Sequence, residues 1–132
     1  MSRHQFLNPE DLAPASGFAH GALSGAGRTL YIAGQTGHYQ DLTVDDRLLA
    51  QFAQACRSVA AVIEEAGGEP EDLVSMTIYT TDLQGYRDHL GPIGAAYRDV
   101  FGKHFPAMAL IGVSELFDPA AKVELVCIAV VP

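Results

Sequence analysis

A single carboxylate stands inside the most apolar stretch of this chain. The segment Phe105–Pro132 reads FPAMALIGVSELFDPAAKVELVCIAVVP. Its two apolar runs, Ala107–Val113 and Lys122–Val131, have strand length and flank a turn at Asp118-Pro119. In the second run Val123, Leu125, Cys127, Ala129 and Val131 alternate onto one face. Val126, Ile128 and Val130 take the other, in line with Glu124. A strand apolar on both faces is normally buried on both. Burial raises a carboxyl pKa, which is how a Glu becomes a general acid or base near neutral pH. The competing reading is structural: a Glu near a strand start, partly wet or salt-bridged.

A second stretch with chemical promise is Gly34-Gln35-Thr36-Gly37. Two glycines around a polar pair let backbone N–H groups approach a ligand; the alternative is a plain exit from a strand. The remaining reactive types point elsewhere. Cys56 falls in a helical pattern and Cys127 in the apolar strand, where a thiol packs as a small hydrophobe. His4, His20, His38, His89 and His104 have no Cys or carboxylate at metal-ligand spacing, so no metal is expected. Phosphate-binding, dinucleotide-binding and serine-elbow motifs are absent, and no cofactor is called for.

The elements that must position these residues follow from hydrophobic periodicity. Met1–Leu12 reads as an extended arm, Phe18–Ser24 as a strand and Arg28–Ala33 as a second strand running into the glycine loop. Asp45 or Asp46 caps a helix over Arg47–Ala66, whose stripe is Leu48, Leu49, Phe52, Ala55, Val59, Val62, Ile63 and Ala66. Leu73–Thr80 alternates, with Val74, Met76 and Ile78 inward. A second helix spans Gly85–Phe101 and breaks at Gly91-Pro92, and its stripe is Tyr86, Leu90, Ile93, Tyr97, Val100 and Phe101. The expected order is β-β-α-β-α-β-β in one α+β domain covering 1–132, two helices packed on one face of a mixed sheet. No helix remains for the other face, so Tyr31, Tyr79 and Ile111 call for self-association.

The chain carries 8 Lys and Arg against 16 Asp and Glu, a net charge of −8. Nucleic-acid affinity begins with basic side chains on phosphates, and here they are few and unclustered, so no nucleic acid is expected as a partner. No run reaches membrane-spanning length and the N-terminus has no apolar signal core, which makes the cytoplasm the expected address and a membrane an unexpected partner.

In this order GQTG, the VSMTIYTTD run Val74–Asp82, AAYRDVFG, FPA and VELVCIAVV resemble the Rid family, the reactive intermediate deaminases, also called the YjgF or liver perchloric-acid-soluble protein family. The resemblance covers nearly the whole chain. It implies a chorismate-mutase-like fold, a homotrimer, and small-molecule clefts between subunits. It also implies hydrolysis of enamines or imines such as 2-aminoacrylate to a keto acid and ammonia. Glu124 matches the family's water-positioning Glu, the catalytic candidate. Gly34 and Gln35 match its S-G-Q loop, with Ala33 where the Ser stands. Phe18 falls where a Tyr is common, and Gly94 where deaminases tend to carry an Asn. Met108 replaces the Arg that grips the substrate carboxylate. Met offers soft apolar contact where Arg would make a bidentate ion pair.

The substrate-binding candidates are thus Phe18, Ala33, Gly34, Gln35 and Met108. Three functions are open. The first is hydrolysis of an imine, enamine or related C–N compound other than 2-aminoacrylate, in an apolar cleft whose main ionisable group is Glu124. Its ligand would lack a carboxylate or be larger and partly hydrophobic. The second is a trimeric small-molecule binder that has lost chemistry. The third is the endoribonuclease or translation-inhibitor activity often attached to the family, which the acidity of the chain opposes.

Overall fold

Every long apolar run forms the element its period requires. The computed structural model describes residues 2–132. In chain order it contains β1 (Gln5–Leu7), β2 (Gly21–Leu23), β3 (Arg28–Gln35), α1 (Leu48–Glu65), β4 (Leu73–Thr80), α2 (Leu83–Asp88), α3 (Leu90–Phe101), β5 (Ala107–Gly112) and β6 (Val123–Val131). The main sheet runs β3-β6-β4-β5, with β6 antiparallel to both neighbours and β5 parallel to β4. This is a mixed sheet with helices on one face. Phe52, Ala55, Val59 and Ile63 of α1 and Ile93, Tyr97 and Phe101 of α3 meet Met76, Ile78, Leu125 and Cys127 from the strands in one buried cluster.

Three local expectations change. Part of the N-terminal arm pairs as β1 with β2, and Phe18–Ser24 keeps only three strand residues (Met1 lies outside the described residues). Arg3 ties that arm down, donating to Asp72 at 3.1 Å and to the Val130 carbonyl at 2.6 Å. The second helix starts at Leu83, where the Asp82 carboxylate accepts from the Gly85 N–H at 2.9 Å, and it breaks at His89 rather than at Gly91-Pro92. Pro92 needs no break because it lies in the first turn of α3, where a missing N–H costs nothing. Finally, Arg47 is the residue before α1, with no side-chain cap. The Asp45 carboxylate instead accepts from the Arg47 backbone N–H at 2.8 Å and from the Arg47 guanidinium at 3.0 Å, so it bonds the residue before the helix rather than the first-turn N–H groups.

The α1 stripe contains a polar residue that periodicity passed over. Gln51 is fully buried, donating to the carbonyls of Asp45 at 2.7 Å and Ala120 at 3.0 Å and accepting from the Lys122 N–H at 2.7 Å. It locks the helix start to the loop before β6, while Leu49 points outward. Burial of β6 is one-sided within the chain up to Ile128; at its end Val130 is buried too, where Arg3 and His4 of the N-terminal arm bond its carbonyl. Val123, Leu125, Cys127 and Ala129 are buried beneath the helices. On the opposite face Tyr31 is 77% exposed, Ile111 43% and Val126 38%, so that part of the face is left uncovered.

Candidate functional site

Sheet alternation divides the candidate residues between two places. Met108 pairs in register with Met76, whose side chain is in the core, so Met108 points to the helix side of the sheet. There it forms the floor of a cleft of about 660 Å³, a size suited to a small-molecule ligand. Phe18, Tyr86, Leu90, Tyr97 and Leu110 line the cleft with it. Tyr97 is fixed on both sides, stacked on Phe105 at 5.7 Å between centroids and donating its hydroxyl to the His104 carbonyl. Tyr86 is not: its hydroxyl has no hydrogen-bond partner among the described residues, yet no buried polar atom is orphaned, so the oxygen reaches the open cleft. Burial, with a smaller contribution from Cys56, pushes the Tyr86 pKa up to about 12, keeping it a neutral donor.

Glu124 lies on the opposite face. Its cross-strand partner is Tyr79, three positions along β4 from Met76 and of opposite parity. The β3–β6 register shifts between Ile32 and Gln35, and Gly34 within this irregularity lies against Glu124. A side-chain carbon at Gly34 would stand only 2.8 Å from the Glu124 carboxyl carbon. Glycine at this position therefore lets the carboxylate lie directly on the β3 backbone. Gln35 turns back, its amide donating to the Ala33 carbonyl at 3.1 Å. Glu124 is only half-buried in the single chain.

The structure thus brings Phe18 together with Met108, and Gly34 together with Glu124. Within one chain the sheet separates the two groups. Within one chain Glu124 does not line this cleft; the charged side chain that does is Arg98 on α3, which sequence reasoning missed. A side-chain carbon at Gly94 would come within 3.1 Å of Arg98 Nη1, so the guanidinium lies across the bare helix surface one turn earlier. The i, i+4 spacing of Gly94 and Arg98 was legible, but nothing in the pattern marked which face of α3 would border a cleft.

A polar chain near the Glu124 side was also missed. Thr36 Oγ1 is 2.7 Å from His38 Nδ1, and His38 Nε2 is 2.7 Å from Asp118 Oδ2. It joins the loop after β3 to the loop before β6. The Ala120 N–H, and then His38, hold the Asp118 carboxyl below its usual range. Both cysteines are free and buried; burial pushes the Cys127 thiol up to about 12 and raises Cys56 as well, so neither is a ready nucleophile. Among the described residues no group of three or more His, Cys, Asp or Glu converges as a metal site, and no helix is long and apolar enough to cross a membrane.

Comparison with known proteins follows the same lines. The family profile described as Endoribonuclease L-PSP matches residues 9–131. A RutC family protein of Aquifex aeolicus is 33% identical over 102 residues, 76% of this chain and 79% of that protein. A 2-iminobutanoate/2-iminopropanoate deaminase of Salmonella typhimurium is 31% identical over 90 residues, 66% of each chain. The crystal structure of YyfB from Yersinia pestis, a protein of unknown function of the conserved Rid protein family, superposes with a TM-score of 0.82. It is 30% identical over 98% of this chain and 99% of its own.

Proposed function

The chain belongs to the L-PSP, or Rid/YjgF, family and has its chorismate-mutase-like α+β fold; on that premise we propose that it hydrolyses an imine, enamine or related small C–N metabolite with a partly apolar body. The observation that carries the proposal is the Glu124 carboxylate laid on the Gly34 backbone in the otherwise apolar β6. Glu124 holds a water and takes its proton as the oxygen adds to the C=N carbon. The nitrogen is protonated, the C–N bond of the tetrahedral adduct breaks, and carbonyl and ammonia leave. Backbone donors of Gly34–Thr36 orient the ligand. The imine deaminase among the relatives supports this reaction class. Met108 in place of an Arg argues against 2-aminoacrylate itself, and the apolar cleft favours a larger body.

The two groups of residues lie on opposite sides of the sheet, so a complete site needs a second copy of the chain. The uncovered face bearing Tyr31, Ile111 and Val126 supports a homotrimer with clefts between subunits. The buried free cysteines fit a reducing compartment, the cytoplasm. One observation favours a second reading, a trimer that binds a ligand without turning it over: Phe18, Ala33 and Met108 bring no polar side-chain atom.

The test generates imines with an amino-acid oxidase from small, aliphatic and aromatic amino acids and traps what survives with semicarbazide. The wild type is expected to speed loss of the bulkier imines, and Glu124→Gln to lose at least about 100-fold in rate while staying folded. No acceleration by wild type across the panel would sink the hydrolase in favour of the binder.

A further inference from the structure

We propose that Arg98 is the anion-binding residue of the cleft, and that the ligand is an organic monoanion, a carboxylate, whose apolar body rests on Met108 and Phe18. The proposal rests on the small-molecule function above and names its ligand class. Arg98 lines the same cleft as Met108. Its guanidinium enters no ion pair among the described residues, whereas Arg3 and Arg47 are each held by a carboxylate. The bare Cα of Gly94 leaves room for it to lie along α3, with Nη1 over that turn. An unengaged, planar, five-donor group at the edge of an apolar cleft suits an anionic head on an apolar body.

The rest of the cleft agrees. Its wall is largely aromatic and aliphatic, and among its unengaged hydroxyls is that of Tyr86, a neutral donor able to reach a carbonyl or imine group beside the head. The ligand charge is limited by the surroundings. A single guanidinium, next to Asp99 in sequence and on a chain of net charge −8, favours one negative charge over two. A carboxylate meets that condition and a phosphate monoester does not. The cation that Met108 takes away from β5 is thereby supplied from α3, and the expectation of a ligand without a carboxylate is replaced by one of a carboxylate with a bulky side chain.

Titration calorimetry with 4-methyl-2-oxopentanoate, its methyl ester and 3-methylbutyl phosphate tests this without any turnover. Wild type is expected to bind the acid about tenfold tighter than the ester, the size of one charge-assisted contact at a partly wet site. Arg98→Gln should bring acid and ester within twofold of each other. Arg57→Gln, which removes the same charge from an exposed position bonded only to Gln54, should keep the preference. Tyr86→Phe should weaken acid and ester by a similar factor, and unchanged affinity would remove the hydroxyl from the site. The proposal is overturned if wild type binds neither compound or both equally, or if Arg98→Gln keeps the preference. It is also overturned if Arg57→Gln loses as much, or if the phosphate ester binds tightest. Because only binding is read, its failure alongside intact imine hydrolysis leaves the hydrolase standing, and binding without hydrolysis does the reverse.

Discussion

Adding one methyl group at Gly34 separates the placement of Glu124 from its chemistry. In Gly34→Ala the new carbon would sit 2.8 Å from the Glu124 carboxyl carbon and 3.1 Å from Cγ and Oε1. Ordinary contact begins at 3.4 Å, so the carboxyl group must withdraw by about 0.6 Å. The atoms in the way are the end of a flexible, half-buried side chain, and the backbone at Gly34 is not in the left-handed region. The fold therefore loses less than about 1 kcal/mol. Catalysis is less forgiving, since a displacement of about 1 Å at the reacting centre costs on the order of 100-fold. The expected result is a melting temperature within a few degrees of wild type and a kcat for imine hydrolysis lowered by roughly 10- to 100-fold. Gly37→Ala is the comparator on the same loop. There the added carbon would lie 2.5 Å from Gln51 Cα and 2.7 Å from its carbonyl oxygen, backbone atoms that cannot step aside. That variant should lose about 3 kcal/mol, roughly 10 °C in melting temperature. A Gly34→Ala protein as active and as stable as wild type would refute the idea that the carboxylate must lie where the structure puts it.

Two further outcomes test the surrounding framework. Gln51→Leu keeps the volume of the side chain but strands the Lys122 N–H and two carbonyls, and urea unfolding should show a loss of about 3 kcal/mol. The Asp118 carboxyl is held below its ordinary value of 3.8 in the folded state, so its contribution is fully present above that value and is lost as pH falls through the lower folded pKa. Asp118→Asn should therefore flatten the fall of the urea midpoint below pH 4 and leave it nearly unchanged in slope above pH 5. An identical acid limb in both proteins would show that the Asp118 carboxylate, held by the Ala120 N–H and His38, does not couple to folding.

Elements were readable wherever one face is buried and a period can be counted. Leu73–Thr80 alternates because β4 has helices on one side only, and Met76, Ile78 and Thr80 are buried as the period requires; at the strand start Leu73 takes the core place expected of Val74, because the β4–β6 register shifts between Leu73 and Ser75. Helix ends and polar core residues were harder. Asp45 looks like a cap, but its carboxylate turns onto the N–H and guanidinium of Arg47, and Gln51 looks like a surface residue until three backbone groups surround it.

By itself the sequence determined the apolar strands, the helix stripes, the lone Glu124 in β6, the glycine loop beside it and the acidity that opposes a phosphate backbone. These are local or compositional properties, carried by spacing along one chain. Only the tertiary structure decided that Met108 and Glu124 face opposite sides of the sheet, because strand register is a long-range pairing and a shift of one residue exchanges the faces. It also decided that Gly34 touches Glu124 across the irregular β3–β6 pairing. Arg98 is the clearest case. A basic residue in the last turn of a helix is ordinary in sequence, and it reaches the cleft only because α3 packs so that its Gly94 face borders that apolar space.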